Sequence, residues 1–487
     1  MSILVIDIGT SGLRAGVVRQ DGTITSFHYE PCPPSSPFPG LVEFDAQVMA
    51  DAALRVCNLA LNDCRKSDVI DAVGITNQRA STVLWSKSTG KPLGPALGWQ
   101  DLRTVMECIT AKAEHGLLLA PNQTATKAAW MLQNYVVAKK LDPSDVRIGT
   151  VDSWIASVLS DGALHITDST NAGVTGLCSP DARTWSKRIC GLLNIDTASL
   201  PRIINSSGVV GNASALPGAP PIAALIGDQQ SSLIGQGCIT PGATKITFGT
   251  GGMLNVFTGD VGPTQMRRSE HGTFPIVAYS DADSMHWAAE AIMLSAGTNI
   301  EWLRDDLGII PSSDQSHDIA AQVTDSGGVM FVPALFGLGT PYWDYGARGT
   351  LLGLTRGSNR SHIVRAVLEG IAHLGADMLE AALSDTQLST NSLRVDGGMS
   401  RNPTFIQALA NTTGRIIQVS PVAEATTLGA AFLAGVAVGT WPSISEATST
   451  WKPVKTVAPN ATVDRAQWHE AVNRSRGWIS SLSALDF

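Results

Sequence analysis

Leu4-Val5-Ile6-Asp7-Ile8-Gly9-Thr10-Ser11-Gly12-Leu13-Arg14-Ala15-Gly16-Val17-Val18 is the stretch whose reading decides the fold. An apolar, β-branched run leads into Asp7, small and hydroxyl-bearing residues follow, and a second apolar run begins. This pattern predicts strand, tight turn, strand. Gly9 and Gly12 let the backbone approach a ligand closely. Thr10 and Ser11 offer hydroxyls, and successive N–H groups at the bend can form an anion nest. Asp7 stands where a strand hands over to a loop, a suitable place for a hydrated divalent cation. Two readings fit this stretch alone: a hairpin for phosphate and magnesium, and an ordinary hairpin whose Asp shapes its turn.

The same grammar returns at Thr244-Lys245-Ile246-Thr247-Phe248-Gly249-Thr250-Gly251-Gly252-Met253-Leu254-Asn255-Val256. Two such hairpins far apart point to an internal duplication. The chain has 487 residues, enough for two large domains. The expected division is an N-terminal domain over residues 1–237 and a C-terminal domain over 238–487, each an α/β unit.

Composition narrows the function classes. At 44% hydrophobic and 16% charged residues the chain can bury real cores. A net charge of -8 without a basic patch speaks against nucleic acid, whose backbone demands clustered Lys and Arg. The seven cysteines form no C-x-x-C pair and read as reduced thiols in a cytoplasm. The first apolar run carries Asp7 and has no basic flank, so it does not read as a signal peptide. The apolar stretch 428–441 is too short and Gly-broken to span a bilayer. The expected location is cytoplasmic, and a homodimer is the assembly entertained.

Along the chain, a helix is expected over 44–61 with Asp45 as its N-cap, a strand over 72–76, and a helix opened by Arg103. A further helix spans 126–140, and another starts at 150–154 with Asp152 or Ser153 as the cap. Residues 206–221 read as a loop. An apolar strand then runs into Gly227 and Asp228. In the second half a long amphipathic helix covers 361–383, a strand runs into Gly397-Gly398, and Asn402-Pro403 opens a helix ending at Gly414. An Ala- and Gly-rich helix over 424–438 suits close packing, and the tail after Trp451 reads as one last helix.

Three Gly turns after strands, at Gly9, at 249–252 and at 397–398, fit a nucleotide clamped between two domains. Asp228 stands alone between a buried strand and a helix. A carboxylate there can take the proton of an attacking hydroxyl; it can equally be a helix N-cap. Arg348 is open between a phosphate contact and a structural ion pair. The histidines at 115, 165, 271, 286, 317, 362 and 373 show no ligand spacing.

An ordered series of motifs now carries a resemblance: Asp7-Ile8-Gly9-Thr10, Gly74-Ile75-Thr76-Asn77-Gln78-Arg79, Trp99-Gln100, Gly227-Asp228-Gln229-Gln230, Phe248-Gly249-Thr250-Gly251, Gly337-Leu338-Gly339-Thr340-Pro341-Tyr342-Trp343-Asp344 with Ala347-Arg348-Gly349, Val395-Asp396-Gly397-Gly398, and Thr427-Leu428-Gly429-Ala430-Ala431. The chain resembles the FGGY carbohydrate kinases, and among them the glycerol kinases. The resemblance implies two duplicated actin-like (ribonuclease H-like) ATPase domains around a deep cleft, with ATP and Mg2+ as phosphoryl donor and a small polyol or sugar as acceptor. It implies Asp228 as the catalytic base and Asp7 in the magnesium shell. Thr10, Ser11, Arg14, Thr250 and Gly251 would contact phosphates, and Gly297, Glu301, Gly398 and Asn402 would line the adenosine. Arg79 and Trp99 would face the acceptor, with Gln229 holding its hydroxyls.

Two departures stand out. The position after Arg79, a Glu in glycerol kinases, is Ala80, and a Tyr of the acceptor wall is matched by Asn122. A lost carboxylate and a lost ring imply weak use of glycerol, or else a larger polyol, a tetritol or a ketose such as a pentulose. The loop before Asp228 lacks the Gly- and Lys-rich sequence that binds a sugar bisphosphate in some bacterial glycerol kinases, so feedback of that kind is not expected. The competing class is a nucleotide-dependent interaction protein on the same fold, against which the set Arg79, Trp99, Asp228 and Gln229 argues.

Overall fold

The computed structural model describes residues 1–65 and 68–486. Its first strand, Ser2–Ile8, is wholly buried, as its apolar run demands. It pairs antiparallel with Gly12–Arg19 and parallel with Ile70–Asn77, which in turn pairs parallel with Pro221–Gly227. Ile24–Pro31 closes one edge of this sheet and Ser207–Asn212 the other. The second sheet repeats the arrangement. Thr244–Phe248 pairs antiparallel with Gly252–Gly259 and parallel with Ser392–Asp396, which pairs parallel with Ile416–Val419. Met285–Met293 takes the place of Ile24–Pro31 beside the hairpin. Five strands of each sheet correspond in order and direction, and the second sheet adds Phe274–Ser280 at its edge.

The duplication extends to one helix in each half. Asp228–Gly235 follows Pro221–Gly227, and Ala425–Ala437 follows the corresponding strand Ile416–Val419. These two helices pack on each other at the seam. A methyl group at Gly235 would overlap the carbonyl of Ala425, and one at Gly429 would overlap that of Ser231. The second helix also buries Leu428, Ala431 and Leu433 among Ile3, Val5, Ala72 and Ile226 of the first sheet. Its small residues bring backbones into contact, as its composition predicts.

Other elements form as their sequences require. Asp45 caps Ala46–Asp63 through the N–H groups of Gln47 and Val48. Asn402 caps Pro403–Thr413, which ends at Gly414 in the left-handed region. The amphipathic stretch forms Arg360–Thr386, its stripe buried in the C-terminal core. A small sheet of Glu43–Phe44, Ala96–Leu97, Thr82–Ser86 and Val146–Thr150 stands beside the first large one.

Several expectations are corrected. Arg103 does not open its helix, which begins at Val105; its guanidinium is held by Asp101 and Glu43. Neither Asp152 nor Ser153 caps Val151–Leu159. Thr150 is the cap residue, and buried Asp152 accepts hydrogen bonds from the Thr150 and Thr167 hydroxyls. The 126–140 helix is α only over Thr124–Met131 and continues as a π-helical segment, Leu132–Val137. Residues 206–221 are not all loop, because Ser207–Asn212 adds an edge strand. The tail forms a strand, Lys455–Val457, and two helices, Ala466–Ser475 and Ser480–Ser483.

The helix contact at the seam is testable. Gly429→Val forces the two backbones apart and lowers unfolding free energy by about 1–3 kcal/mol or more. Gly191→Ala, where a methyl meets open space, is neutral or mildly stabilising. Urea midpoints at constant slope read both effects.

Candidate active site

The N-terminal bend is built tightly. Gly9 N–H donates to the carbonyl of Gly12 (3.0 Å), and the N–H of Gln78 donates to that of Ile8 (2.7 Å). Thr10 Oγ1 accepts a hydrogen bond from Trp99 Nε1 at 3.0 Å, which sets the indole over this turn. Ser11 is exposed beside it. The C-terminal bend is a docking point for the segment after Met285–Met293: Gly297 N–H donates to the Gly249 carbonyl (2.8 Å) and Ala296 N–H to that of Thr250 (2.9 Å). Thr250, Gly251 and Gly297 are thereby brought together, and Glu301 lies exposed one turn further on.

Gly397 has φ +84°, and a Cβ there would strike the Phe248 backbone, whereas one on Gly398 meets open space. The pairing of Thr247 with Asp396 puts this turn next to 249–251. Asn402 completes the row, donating from Nδ2 to Ser316 Oγ (2.9 Å) while its Oδ1 accepts from Phe405 N–H.

Asp7 lies next to the end of its strand, and Asp228 directly follows Pro221–Gly227 in the same sheet. Asp7 lies beside Thr76 and Gly227 beside Asn77, so the two acids stand at the C-terminal ends of parallel strands with one strand between them, their backbones about 10 Å apart. Asp7 is 3% exposed. Arg14 Nη1 reaches its Oδ2 at 3.3 Å and Glu424 of the other half at 3.7 Å. Burial pushes the Asp7 carboxyl up to about 7 against the pull of Arg14, and the charge of Asp228 adds to the rise.

Asp228 is the first helical residue and not the cap, which is Gly227. Its Oδ1 accepts from the Gln229 N–H (2.7 Å) and lies 3.6 Å from Arg79 Nε. Burial raises its pKa, while Arg79 and Lys245 pull it down.

Of the residues expected to face the acceptor, Arg79 donates from Nη2 to both oxygens of Glu290, at 2.9 and 3.1 Å, across the seam. Its Nη1 is buried and, among the described residues, without a hydrogen-bond partner. Gln229 Oε1 accepts from Lys245 Nζ (3.0 Å), a second link across the seam. Ala80 holds φ +62°, and its carbonyl accepts from the Thr124 hydroxyl at 3.2 Å. Fully buried Lys127 donates to the carbonyls of Gly98 (3.0 Å) and Asn122 (3.1 Å), fixing the loops that carry Trp99 and Asn122. Burial pushes this amine down to about 7.

Glu290, Asn255, Lys245 and Lys127 were missed by sequence reasoning. The available signal was a lone charged or amide side chain inside an apolar strand, as in Met285–Met293 and Thr244–Phe248. Other residues resolve as structural. Arg348 Nη1 donates to the carbonyls of Tyr345 (2.9 Å) and Ala347 (2.7 Å). Asp344 of the long Gly motif accepts from Gly346, Gly477 and Ser483, tying down the C-terminal tail. His165 and His373 are pushed down by burial, to about 4 and about 3. Asp377, Glu380 and His469 approach one another, but Arg465 pairs with both acids. Among the described residues no helix is long and apolar enough to cross a membrane.

Comparison with known proteins agrees with this geometry. Residues 2–235 match the N-terminal domain of the FGGY family of carbohydrate kinases, and residues 244–438 match its C-terminal domain. A glycerol kinase of Trichlorobacter lovleyi is 40% identical over 494 residues, 98% of this chain and 99% of that protein. One of Janthinobacterium sp. (strain Marseille) is 39% identical over 500 residues, 98% of this chain and 99% of that protein. The crystal structure of Plasmodium falciparum glycerol kinase with ADP superposes with a TM-score of 0.89 at 30% identity, covering 97% of this chain and 98% of that one. A xylulose kinase from Lactobacillus acidophilus shares the fold, with a TM-score of 0.84 at 21% identity over 94% of each chain. The fold is thus the two-domain actin-like ATPase architecture, and the comparisons favour a kinase over a nucleotide-dependent interaction protein on the same fold. The chain belongs to the FGGY family of carbohydrate kinases, ATP-dependent phosphotransferases that act on a carbohydrate or polyol hydroxyl.

Proposed function

We propose that this kinase phosphorylates a small polyol in a pocket walled by Arg79, Ala80, Trp99, Asn122, Asp228 and Gln229, with Asp228 as the catalytic base. The observation that carries the reading is the place of Asp228: a partly buried carboxylate on a helix N-terminus, at the same C-terminal end of the strands as Asp7, next to an arginine whose buried Nη1 has no partner among the described residues. Residues 1–237 form the acceptor half and 238–487 the adenosine half. Thr10, Ser11, Arg14, Thr250 and Gly251 hold the phosphates, and Gly297, Glu301, Gly398 and Asn402 the adenosine. The resemblance to glycerol kinases at 39–40% identity favours a polyol over a ketose.

Chemistry at the site is simple to balance. The acceptor hydroxyl oxygen forms a bond to the γ-phosphorus, the bond from that phosphorus to the bridging oxygen breaks, and ADP leaves. The hydroxyl proton passes to Asp228 as the bond forms. Arg79 Nη1 orients the acceptor by donating to one of its oxygens, and Gln229 holds another. Trp99 covers the Thr10 turn and excludes water, which limits wasteful hydrolysis.

The Asp7 surroundings fit magnesium: a buried carboxylate, ionised with difficulty, near a second acid and with one arginine contact at 3.3 Å. Asp7 would hold the ion through its water shell, and the chemistry supplied there would be neutralisation of phosphate charge.

The acceptor pocket departs from glycerol kinases at two places. Ala80 offers no carboxylate, and exposed Asn122 supplies no ring. Glycerol is therefore a weak acceptor here, and a larger polyol such as a tetritol fills the space.

Asp228→Asn abolishes phosphoryl transfer while ATP affinity, read by calorimetry, stays within about threefold; retained turnover would remove Asp228 from its role. Because the base must be ionised and burial raises its pKa, kcat falls as pH drops, with an acid limb above the ordinary carboxylate range near ~4. A limb at or below that range contradicts the burial argument. Ala80→Glu restores a charged acceptor for hydroxyls and raises kcat/KM for glycerol about tenfold or more. A panel of triols, tetritols and ketoses assayed by ADP release shows the shift; an unchanged ranking means position 80 does not touch the acceptor.

A further inference from the structure

Arg79 is the most constrained cation of the site. Its three nitrogens are placed differently: Nη2 is bonded to Glu290, Nε lies 3.6 Å from Asp228, and Nη1 is buried with no partner among the described residues. Glu290 itself is 4% exposed and sits on Met285–Met293 directly opposite Asn255, whose Nδ2 donates to its Oε2 at 3.2 Å. The charged groups around this point are Arg79 and Lys245 on one side and Asp228 and Glu290 on the other, with Asp396 also near Lys245. Without Glu290 the nearest acid to the guanidinium is Asp228.

We propose that Glu290 is a positioning residue for the acceptor: reaching from the opposite half, it holds Arg79 so that Nη1 is presented to a substrate hydroxyl and Asp228 stays free of a full ion pair. This rests on the kinase reading above. Two hydrogen bonds from one guanidinium nitrogen outweigh the single longer contact to Asp228, so the arginine is biased away from the base. Asn255 fixes the carboxylate in turn, and it does so from the strand that leaves the Thr250 bend. A plain strut between the halves would need neither the free Nη1 nor the 3.6 Å gap to Asp228.

The test compares wild type, Glu290→Gln, Arg79→Met and the double variant, using the best acceptor from the polyol panel. Glu290→Gln raises the acceptor KM about tenfold or more and lowers kcat, while the KM for ATP stays within about twofold. The double variant is no worse than Arg79→Met alone, because Glu290 acts through Arg79. Additive losses, or equal rises in both KM values, overturn the proposal in favour of a strut. Should Glu290→Gln fail to fold, Asn255→Ser loosens the same carboxylate and gives a smaller rise, about threefold, in acceptor KM only; no rise overturns the proposal. A wild type that turns over no polyol or ketose takes down the kinase reading and this inference with it. Wild-type turnover with an unchanged Glu290→Gln takes down this inference alone.

Discussion

Two glycines set the separation of the halves. At Gly235 and Gly429 the helices that follow corresponding strands of the two sheets touch backbone to backbone. Any side chain there would widen the seam. The links above it span short distances: Arg79 to Glu290 at 2.9 Å, Lys245 to Gln229 at 3.0 Å, Arg14 to Glu424 at 3.7 Å. These contacts exist only because the backbones below them approach so closely. Asp228 heads one of the two helices, so its position is tied to the same contact.

The cluster above the seam is expensive in isolation. Arg79 and Lys245 are cations taken from water, and Asp228 and Glu290 are acids held close to them. Burying charges in alternation offsets part of the desolvation penalty but rarely all of it. Hydrophobic replacements of similar volume would serve stability at least as well. What the charges provide is orientation, because each one's direction is set by the next: Asn255 aims Glu290, Glu290 aims Arg79, and Lys245 aims Gln229. A pocket that must choose among hydroxyl patterns needs such fixed donors.

Local chemistry made much of this legible beforehand. The strand–turn–strand units at Gly9 and Gly249, the caps Asp45 and Asn402, and the small-residue helix all follow from short-range rules, and the structure has them. What failed was set by tertiary contacts. Asp152 looked like a cap because Asp before an apolar run is one, yet its partners Thr150 and Thr167 turn it inward. Ser207–Asn212 has a polar, Gly-bearing sequence that reads as loop and becomes an edge strand because Pro221–Gly227 offers it a ladder. Glu290 and Lys245 carry no motif. Their meaning lies in groups 211 and 16 residues away, at Arg79 and Gln229, so no local pattern could expose it.

The duplication also explains why the two halves do different work. Aligning the two bends sets Asp7 against Thr247, and the neighbouring parallel strand sets Thr76 against Asp396. The acid has moved from the hairpin strand in one half to the strand beside it in the other. There it is engaged: Asp396 accepts from Gln236 at 2.7 Å and from Ser232 at 3.3 Å, so it braces the Asp228 helix from below. Asp7 is met by Arg14 at 3.3 Å. The asymmetry recurs at the strands that precede the two seam helices, since Pro221–Gly227 leads directly into Asp228 whereas Ile416–Val419 leads into Ser420 and a loop. One backbone plan used twice thus leaves Asp7 and Asp228, the carboxylates proposed for the reaction, on one side of the seam, while Asp396 on the other supports the helix that Asp228 opens. On the kinase reading, that division is what lets a nucleotide lie along one half while its terminal phosphate faces the acids of the other.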